Sequence, residues 1–188
     1  MKSRAACTRA VIALLPGVLA TLAVAGSSDA ALTQSGTAAV SFSALGPAGM
    51  TINGTTPDLR VAEATGDIGI TVPLARLTTG IALRDDHMRN KYLEVATYPE
   101  AVLHVARAAL VFPAQAPTSS SVVGALTLHG VTRNVTIAYS AQRGADGTYS
   151  VAGKTAIDMR DYNITVPSYL GVAVKPNVTL DVRFVAKE

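Results

Sequence analysis

Apolar residues alternate with polar or small residues over stretches rich in Val, Ile and Thr, and this period of two constrains the fold most strongly. Successive side chains of a β-strand point to opposite faces, so each such stretch predicts a strand with one buried face. From Ala31 onward, no helical periodicity is sustained over a long stretch. Strands are predicted at residues 40–44, 50–63, 68–74, 101–112, 122–129, 134–140, 148–158 and 178–184, the second interrupted at Asn53-Gly54.

Residues typical of turns lie between these stretches. Asp146-Gly147 predicts a hairpin, Gly130 predicts a tight turn or bulge after His129, and Pro113 to Ser121 predicts a loop. Short turns favour antiparallel neighbours, and about eight strands in a chain of this length favour a closed antiparallel barrel, which leaves no exposed edge. A two-sheet sandwich has the same periodicity and remains the alternative.

One segment, residues 84–95, departs from the strand pattern. Met88, Tyr92 and Val95 share one face of a helix, and Asp85 is in position to act as an N-cap. We therefore predict a short helix packed over one end of the barrel.

The first thirty residues are typical of an export signal. A basic start precedes an apolar run at residues 10–25, which is shorter than a membrane-spanning helix requires, and Ser28 and Ala30 form a small-residue cleavage site. We predict a signal peptide at residues 1–30 and a single domain at residues 31–188. The expected location is the periplasm or the exterior, with no permanent membrane anchor.

Composition excludes several classes of function for this domain. The chain has 16 basic and 13 acidic residues, and three of the basic and one of the acidic residues lie in the first thirty positions. The predicted domain at residues 31–188 therefore has a net charge of +1, which argues against nucleic-acid binding. Cys7, the only cysteine, lies in the predicted signal peptide, so disulfides and thiolate chemistry are not expected. Neither G-x-S-x-G nor S-x-x-K occurs, and His87, His104 and His129 lack metal-ligand spacing. We expect no enzymatic activity, no catalytic residues and no metal site.

Three motifs follow one another between Gly66 and Ile137. They are Thr79-Gly80-Ile81 with Arg84 to Met88 (RDDHM), Tyr98-Pro99 before a strand, and Leu126 to Ile137 (LTLHGVTRNVTI). In this order and spacing they resemble the YceI family of exported, lipocalin-like proteins. Asp158 to Ile164 is similar to a later family segment, although Asn163 stands where a Gly is common. The histidines that the family often carries in its first strand are absent between Gln34 and Met50.

The resemblance implies an eight-stranded antiparallel barrel whose apolar interior accommodates a polyisoprenoid or a similar amphiphilic lipid, without an established enzymatic activity. The interior of such a barrel is either filled by side chains or holds one slender ligand. With three Phe and no Trp, the chain has few large residues to fill it. Small inward side chains leave room in the interior, and the resemblance implies an isoprenoid-type lipid as the ligand; we expect no other cofactor.

Inward-facing apolar residues are the candidates for contact with this lipid. The polar cluster at the start of the predicted helical segment adds Arg84, Asp85 and His87, either as contacts for a lipid head group at the barrel rim or as an N-cap and an Arg–Asp pair that fix the segment. The predicted lipid-binding residues are Phe42, Ile68, Ile70, Val72, Leu103, Val105, Leu126, Leu128, Val135, Ile137, Val182 and Phe184.

Other functions remain compatible with the sequence. The main alternative is a structural or stress-response envelope protein whose barrel is filled and binds no ligand. An enzyme acting on a lipid or quinone at the barrel mouth would depend only on the cluster at residues 84–87. A partner-binding module would need an exposed apolar patch. A homodimer is compatible with any of these functions.

Overall fold

Antiparallel strands form most of residues 31–169 and 172–188, the part of the chain that the computed structural model describes. The predicted signal peptide lies outside these residues. The strands are β1 (Thr33–Leu45), β2 (Thr51–Thr56), β3 (Arg60–Ala64), β4 (Asp67–Pro73), β5 (Glu100–Ala106), β6 (Thr118–Leu128), β7 (Val131–Arg143), β8 (Thr148–Asp158), β9 (Ser168–Tyr169), β10 (Val172–Ala173) and β11 (Asn177–Lys187).

Over the described residues, the strands close into one antiparallel barrel. The order β3-β4-β5-β6-β7-β8-β11 is completed by β1, which pairs with β11 on one side and with both β2 and β3 on the other. Because β2 and β3 pair with different parts of β1, they occupy one position in the ring, which therefore has eight positions. The predicted eight-stranded barrel is confirmed, and the sandwich is excluded. β9 and β10 form a separate two-stranded ribbon.

The break in the second predicted strand lies at residues 57–59 and not at Asn53-Gly54. Pro57 has no N–H to donate to a strand ladder, so it ends β2. Gly54 continues the strand because the ring of Phe42 occupies the space of a side chain, and a Cβ on Gly54 would lie 2.2 Å from Phe42 Cε1. Gly54 is therefore required for close packing against Phe42 and not for a turn.

Other predicted boundaries are also wrong, and β1, predicted at residues 40–44, begins at Thr33. β5 ends at Ala106, and a 3-10 helix at Arg107–Ala109 turns the chain so that Val111 N–H donates to Tyr139 Oη at 2.8 Å. Residues 107–112 therefore fold against the barrel instead of extending the strand. β6 begins at Thr118, so residues 118–121 belong to a strand and not to the loop, because they pair with β7.

Both predicted turns are present. His129 and Gly130 form a two-residue hairpin loop with φ angles of 50° and 73°, and Gly147 has φ of 80° between β7 and β8. The two left-handed residues at His129-Gly130 match the hairpin turns that follow strand twist. Asn163 also has a positive φ, 56°, and Asn tolerates this conformation better than most residues. Gly adopts it without strain, which explains why a Gly is common at this position in the family that the sequence resembles.

One end of the barrel, the closed end, is packed with side chains. Leu32, Ile68, Tyr149, Phe184 and Ala186 belong to one buried cluster there. Nearby, the Arg107 guanidinium pairs with the carboxylates of Glu63 and Glu188, which ties β3 to the last residue of the chain.

The opposite end carries the predicted helical segment. It consists of an α-helix, α1 (Ala82–His87), followed by a π-helical turn at Met88–Tyr92, so it is not one regular helix over residues 84–95. Met88, Tyr92 and Val95 pack against the apolar cluster at this end, as their spacing predicted. Among the described residues, no helix has the length and apolar character needed to cross a membrane.

Candidate functional site

The end of the barrel beneath α1 encloses a cavity of about 810 Å³ that opens to solvent at a mouth. Residues of β1, β2, β4 to β8 and β11 form its wall, and most of them are Val, Leu, Ile or Ala. The other strand residues that border it include Ser41, Phe42, Lys154, Thr155 and Asp181. Gly153 on β8 also faces inward, where a Cβ would lie 3.0 Å from Val182 Cγ1. Slim side chains and one glycine therefore leave the space open.

The structure separates the predicted lipid-binding residues by depth. Ile68, Val105 and Phe184 face inward at the closed end and border a second cavity of only about 80 Å³. Alternation identifies the inward face of a strand, but it carries no information on how far along the barrel axis a residue lies. The nine that line the large cavity are Phe42, Ile70, Val72, Leu103, Leu126, Leu128, Val135, Ile137 and Val182.

Several residues of the cavity wall were not among the predicted lipid-binding residues. Met88, Tyr92 and Leu93 reach the cavity from the helical segment, and Leu74 and Leu77 reach it from the turn after β4. The residues of the helical segment and Leu77 lie outside strands, so the period of two could not mark them, whereas Leu74 ends the alternation of the predicted strand at residues 68–74. Helical spacing identified Met88 and Tyr92 as packing residues, although not as part of this wall.

Arg84, His87 and Lys91 border the cavity from the helical segment. The Arg84 side chain is oriented by Thr79, because its Nε donates to Thr79 Oγ1 at 2.8 Å and its Nη2 donates to Thr79 O at 3.2 Å. Within the described residues, neither Arg84 nor Lys91 has a carboxylate within 4.0 Å. Lys91 was not among the predicted site residues.

Asp85 has a different position from the one predicted. The N-cap of α1 is Ile81, and Asp85 lies inside the helix, 5% exposed and away from the cavity wall. Its carboxylate accepts from Thr78 Oγ1 at 2.5 Å, Thr79 N–H at 2.7 Å and Thr79 Oγ1 at 2.5 Å. It therefore holds the turn before α1, and the expected Arg–Asp pair is replaced by contacts of both Arg84 and Asp85 with Thr79.

These hydrogen bonds keep the Asp85 carboxyl group ionised. The Thr78 hydroxyl, followed by the Thr79 hydroxyl and N–H, stabilises the carboxylate and lowers the pKa of Asp85 from 3.8 to about 2, although burial opposes the shift. The side chain is an anion at any physiological pH, and its acceptor capacity is used by the turn.

The three histidines have separate environments. His104 Nδ1 lies 2.5 Å from Asp67 Oδ2 on the outer wall, and His129 Nδ1 lies 3.1 Å from the carbonyl oxygen of Tyr162. His87 is exposed at the mouth. In the part of the chain that the structure describes, no three His, Cys, Asp or Glu side chains come together as metal ligands.

A closed antiparallel barrel with a deep apolar cavity and a helical segment beside its mouth defines a class of small lipocalin-like proteins. The sequence matches the YceI-like domain over residues 30–186, and the chain belongs to this family. No curated protein matches the chain.

Solved structures share the fold at low sequence identity. A polyisoprenoid binding domain from Saccharophagus degradans, described as implicated in plant cell wall breakdown, is 19% identical, with 83% of this chain and 97% of that chain covered and a TM-score of 0.70. BcnA of Burkholderia cenocepacia is also 19% identical, over 80% and 96% of the two chains, with a TM-score of 0.65. The YceI protein of Campylobacter jejuni is 15% identical, over 73% and 85%, with a TM-score of 0.52.

Proposed function

We propose that this protein binds an isoprenoid or a similar amphiphilic lipid in the large cavity and sequesters or carries it in the cell envelope. The observation that carries the proposal is the apolar cavity of about 810 Å³ with a mouth at one end. Pockets for small ligands commonly measure about 300–1,000 Å³ and bury most of the ligand. Membership of the YceI-like family and the polyisoprenoid binding domain among its structural neighbours support the same ligand class.

The cavity wall suits a slender hydrocarbon chain. Burial of one five-carbon isoprenoid unit contributes on the order of 3 kcal/mol before the entropy costs of binding. Val72, Leu103 and Val135 offer apolar contact without a buried charge. A polar head group would remain near the mouth, where Arg84, His87 and Lys91 lie.

The alternative of a filled barrel without a ligand fits the closed end but not the cavity end. Catalysis is not part of the proposal, because the carboxylate of Asp85 is buried and is engaged by Thr78 and Thr79 in holding a turn. The signal-like first thirty residues support export to the periplasm or the exterior.

The test is extraction of the protein purified from its native host, followed by mass spectrometry of the organic phase. We expect a lipid in the wild-type protein and about tenfold lower occupancy in Val135→Trp, whose indole would occupy the space of the lipid chain. Val123→Trp is the matched control, because Val123 is 60% exposed on the outer face of β6. Equal occupancy in both variants, or no lipid in the wild type, would contradict the proposal.

A further inference from the structure

Large apolar side chains are exposed around the mouth of the cavity. Met50, Ile81, Leu83 and Val172 are 54%, 52%, 68% and 50% exposed, and all four also line the cavity. A side chain that is both solvent-exposed and part of the cavity wall lies where the cavity meets the surface. We call these four residues the apolar collar.

The collar is assembled from three separate parts of the chain. Met50 directly precedes β2, Ile81 and Leu83 flank the start of α1, and Val172 begins β10 of the ribbon. Clustered exposed apolar residues mark interaction sites, whereas Val111 and Val123 are exposed on other parts of the surface and do not line the large cavity. The collar thus concentrates exposed apolar surface at the entrance to the binding site.

Positive charge accompanies the collar. Arg84 and Lys91 line the same mouth, and within the described residues no carboxylate lies within 4.0 Å of either. Lys154 also borders the cavity, but it faces Asp181 at 3.7 Å. Asp86 is the exposed acid of α1, and its carboxylate accepts from Asn90 Nδ2 at 2.6 Å. Apolar side chains with adjacent cations match the chemistry of an anionic bilayer surface.

We propose that the mouth docks on an anionic lipid bilayer, with the apolar collar in the headgroup region and Arg84 and Lys91 against lipid phosphates. This inference rests on the proposed function, since it explains how a water-insoluble ligand reaches the cavity without crossing water. A bilayer fits better than a protein partner because the centre of the collar is an opening. A protein interface concentrates its binding energy in a packed centre, whereas a lipid needs an entrance there.

The first experiment is co-sedimentation of the full protein with vesicles of phosphatidylcholine containing phosphatidylglycerol. We expect Ile81→Ser with Leu83→Ser to lower the vesicle partition coefficient by about tenfold or more, because two apolar side chains no longer enter the headgroup region. Val111→Ser with Val123→Ser removes similarly exposed side chains elsewhere and leaves binding unchanged. All four positions are at least half exposed, and an unchanged Tm verifies that both double variants are folded.

A charge-reversing variant tests the electrostatic contribution to docking on the bilayer. Lys91→Glu lowers binding to the phosphatidylglycerol vesicles by at least about fivefold, because loss of one cation near an anionic surface already has that effect and Glu adds a negative charge. On pure phosphatidylcholine, Lys91→Glu binds like the wild type. Lys187→Glu, at the end of β11 beside the closed end, makes the same charge change and leaves binding to both vesicles unchanged.

Uptake of a polyisoprenol separates docking from ligand binding. Relative to the wild type, the collar variant loses more of its rate of polyisoprenol uptake from vesicles than of its rate of uptake from a dilute ethanol dispersion, because Ile81 and Leu83 also line the cavity but only vesicle uptake needs docking. Val135→Trp binds vesicles and takes up little from either source. Wild-type binding to vesicles without any uptake of polyisoprenol would overturn the proposed function and leave docking standing. Failure of the wild type to bind vesicles, or equal binding by the collar variant, would overturn docking. Self-association or cross-linking to an envelope protein through the collar, without vesicle binding, would also overturn it.

Discussion

Asp85 shows how one buried carboxylate can organise a turn beside a binding site. It lies at a position where a charged side chain needs compensation, and three hydrogen bonds from Thr78 and Thr79 supply it. Thr79 in turn accepts from Arg84 Nε. The carboxylate therefore positions a cavity-lining guanidinium indirectly, through Thr79.

The pKa of Asp85 predicts a pH-dependent contribution to stability. Because the folded-state pKa is lowered from 3.8 to about 2, this contribution is complete above about pH 4 and is lost as the pH falls toward about 2. We expect Asp85→Asn to reduce the free energy of unfolding by about 2 kcal/mol at neutral pH, and this difference to disappear near about pH 2. Urea unfolding at a series of pH values measures it.

Asp86→Asn is the control for this prediction, since Asp86 is exposed and adjacent. Its unfolding free energy should stay within about 0.5 kcal/mol of the wild type. A constant difference between wild type and Asp85→Asn down to about pH 2 would show that ionisation of Asp85 does not stabilise the fold.

Sequence reasoning could find Asp85 but not its role. An acidic residue near the start of a helix is ordinarily an N-cap or a first-turn acid, and nothing in the sequence distinguishes these from an acceptor for a preceding turn. The two threonines that hold it are six and seven residues earlier, beyond the reach of the capping pattern.

At the level of elements, the β6–β7 hairpin combines a backbone requirement with a packing requirement. Gly130 has φ of 73°, and a Cβ there would lie 2.7 Å from Tyr98 Cε1. Tyr98 also packs on His129, with ring centroids 4.5 Å apart. The hairpin is thereby fixed to the segment that precedes β5, which explains why Tyr98-Pro99 and His129-Gly130 occur together as motifs.

Gly130→Ala should lower the free energy of unfolding by about 2 kcal/mol, because it adds backbone strain and a clash with Tyr98. Gly147→Ala is the matched control, since its φ is 80° and a Cβ added there would have no neighbour within 4 Å, so only the strain of about 1 kcal/mol remains. Chemical denaturation compares the two. An equal loss of unfolding free energy in both variants would mean that the Tyr98 side chain moves aside without an energetic penalty.

Element boundaries were less predictable than element types. The alternation identified every long strand of the barrel, and Asp146-Gly147 and Gly130 located two turns. The break was misplaced at Asn53-Gly54 because the role of Gly54 depends on a contact with Phe42 on the neighbouring strand, although Pro57, which ends β2, is visible in the sequence. A glycine that accommodates a ring and a glycine that makes a turn are identical in a sequence.

The whole molecule divides into a closed end that is packed and an end that is hollow. Phe184 is 6% exposed within the closed-end cluster, whereas Phe42 borders the large cavity. The sequence predicted that both face inward. Whether the interior is open could not be derived from it, because the volume depends on the tilt of the strands and on the helical segment above them.

This division predicts different costs for the same substitution at the two ends. Phe184→Ala should lower the free energy of unfolding by about 3–5 kcal/mol, because it leaves a void in a packed cluster. Phe42→Ala should cost about 1–2 kcal/mol, since one side of its ring already faces empty space. Denaturant unfolding of the ligand-free protein measures both. Equal losses would indicate that the cavity collapses around Phe42.

The ion pairs of Arg107 with Glu63 and Glu188 lie beside the closed end and join early and late parts of the chain. Glu63 lies on β3 and Glu188 follows β11, so one guanidinium fixes the two strands that flank β1 in the ring. These ion pairs and the buried residues of the closed-end cluster share no residue with the wall of the large cavity. The wall can therefore be altered, in order to test what it binds, while the contacts that close this end of the barrel stay in place.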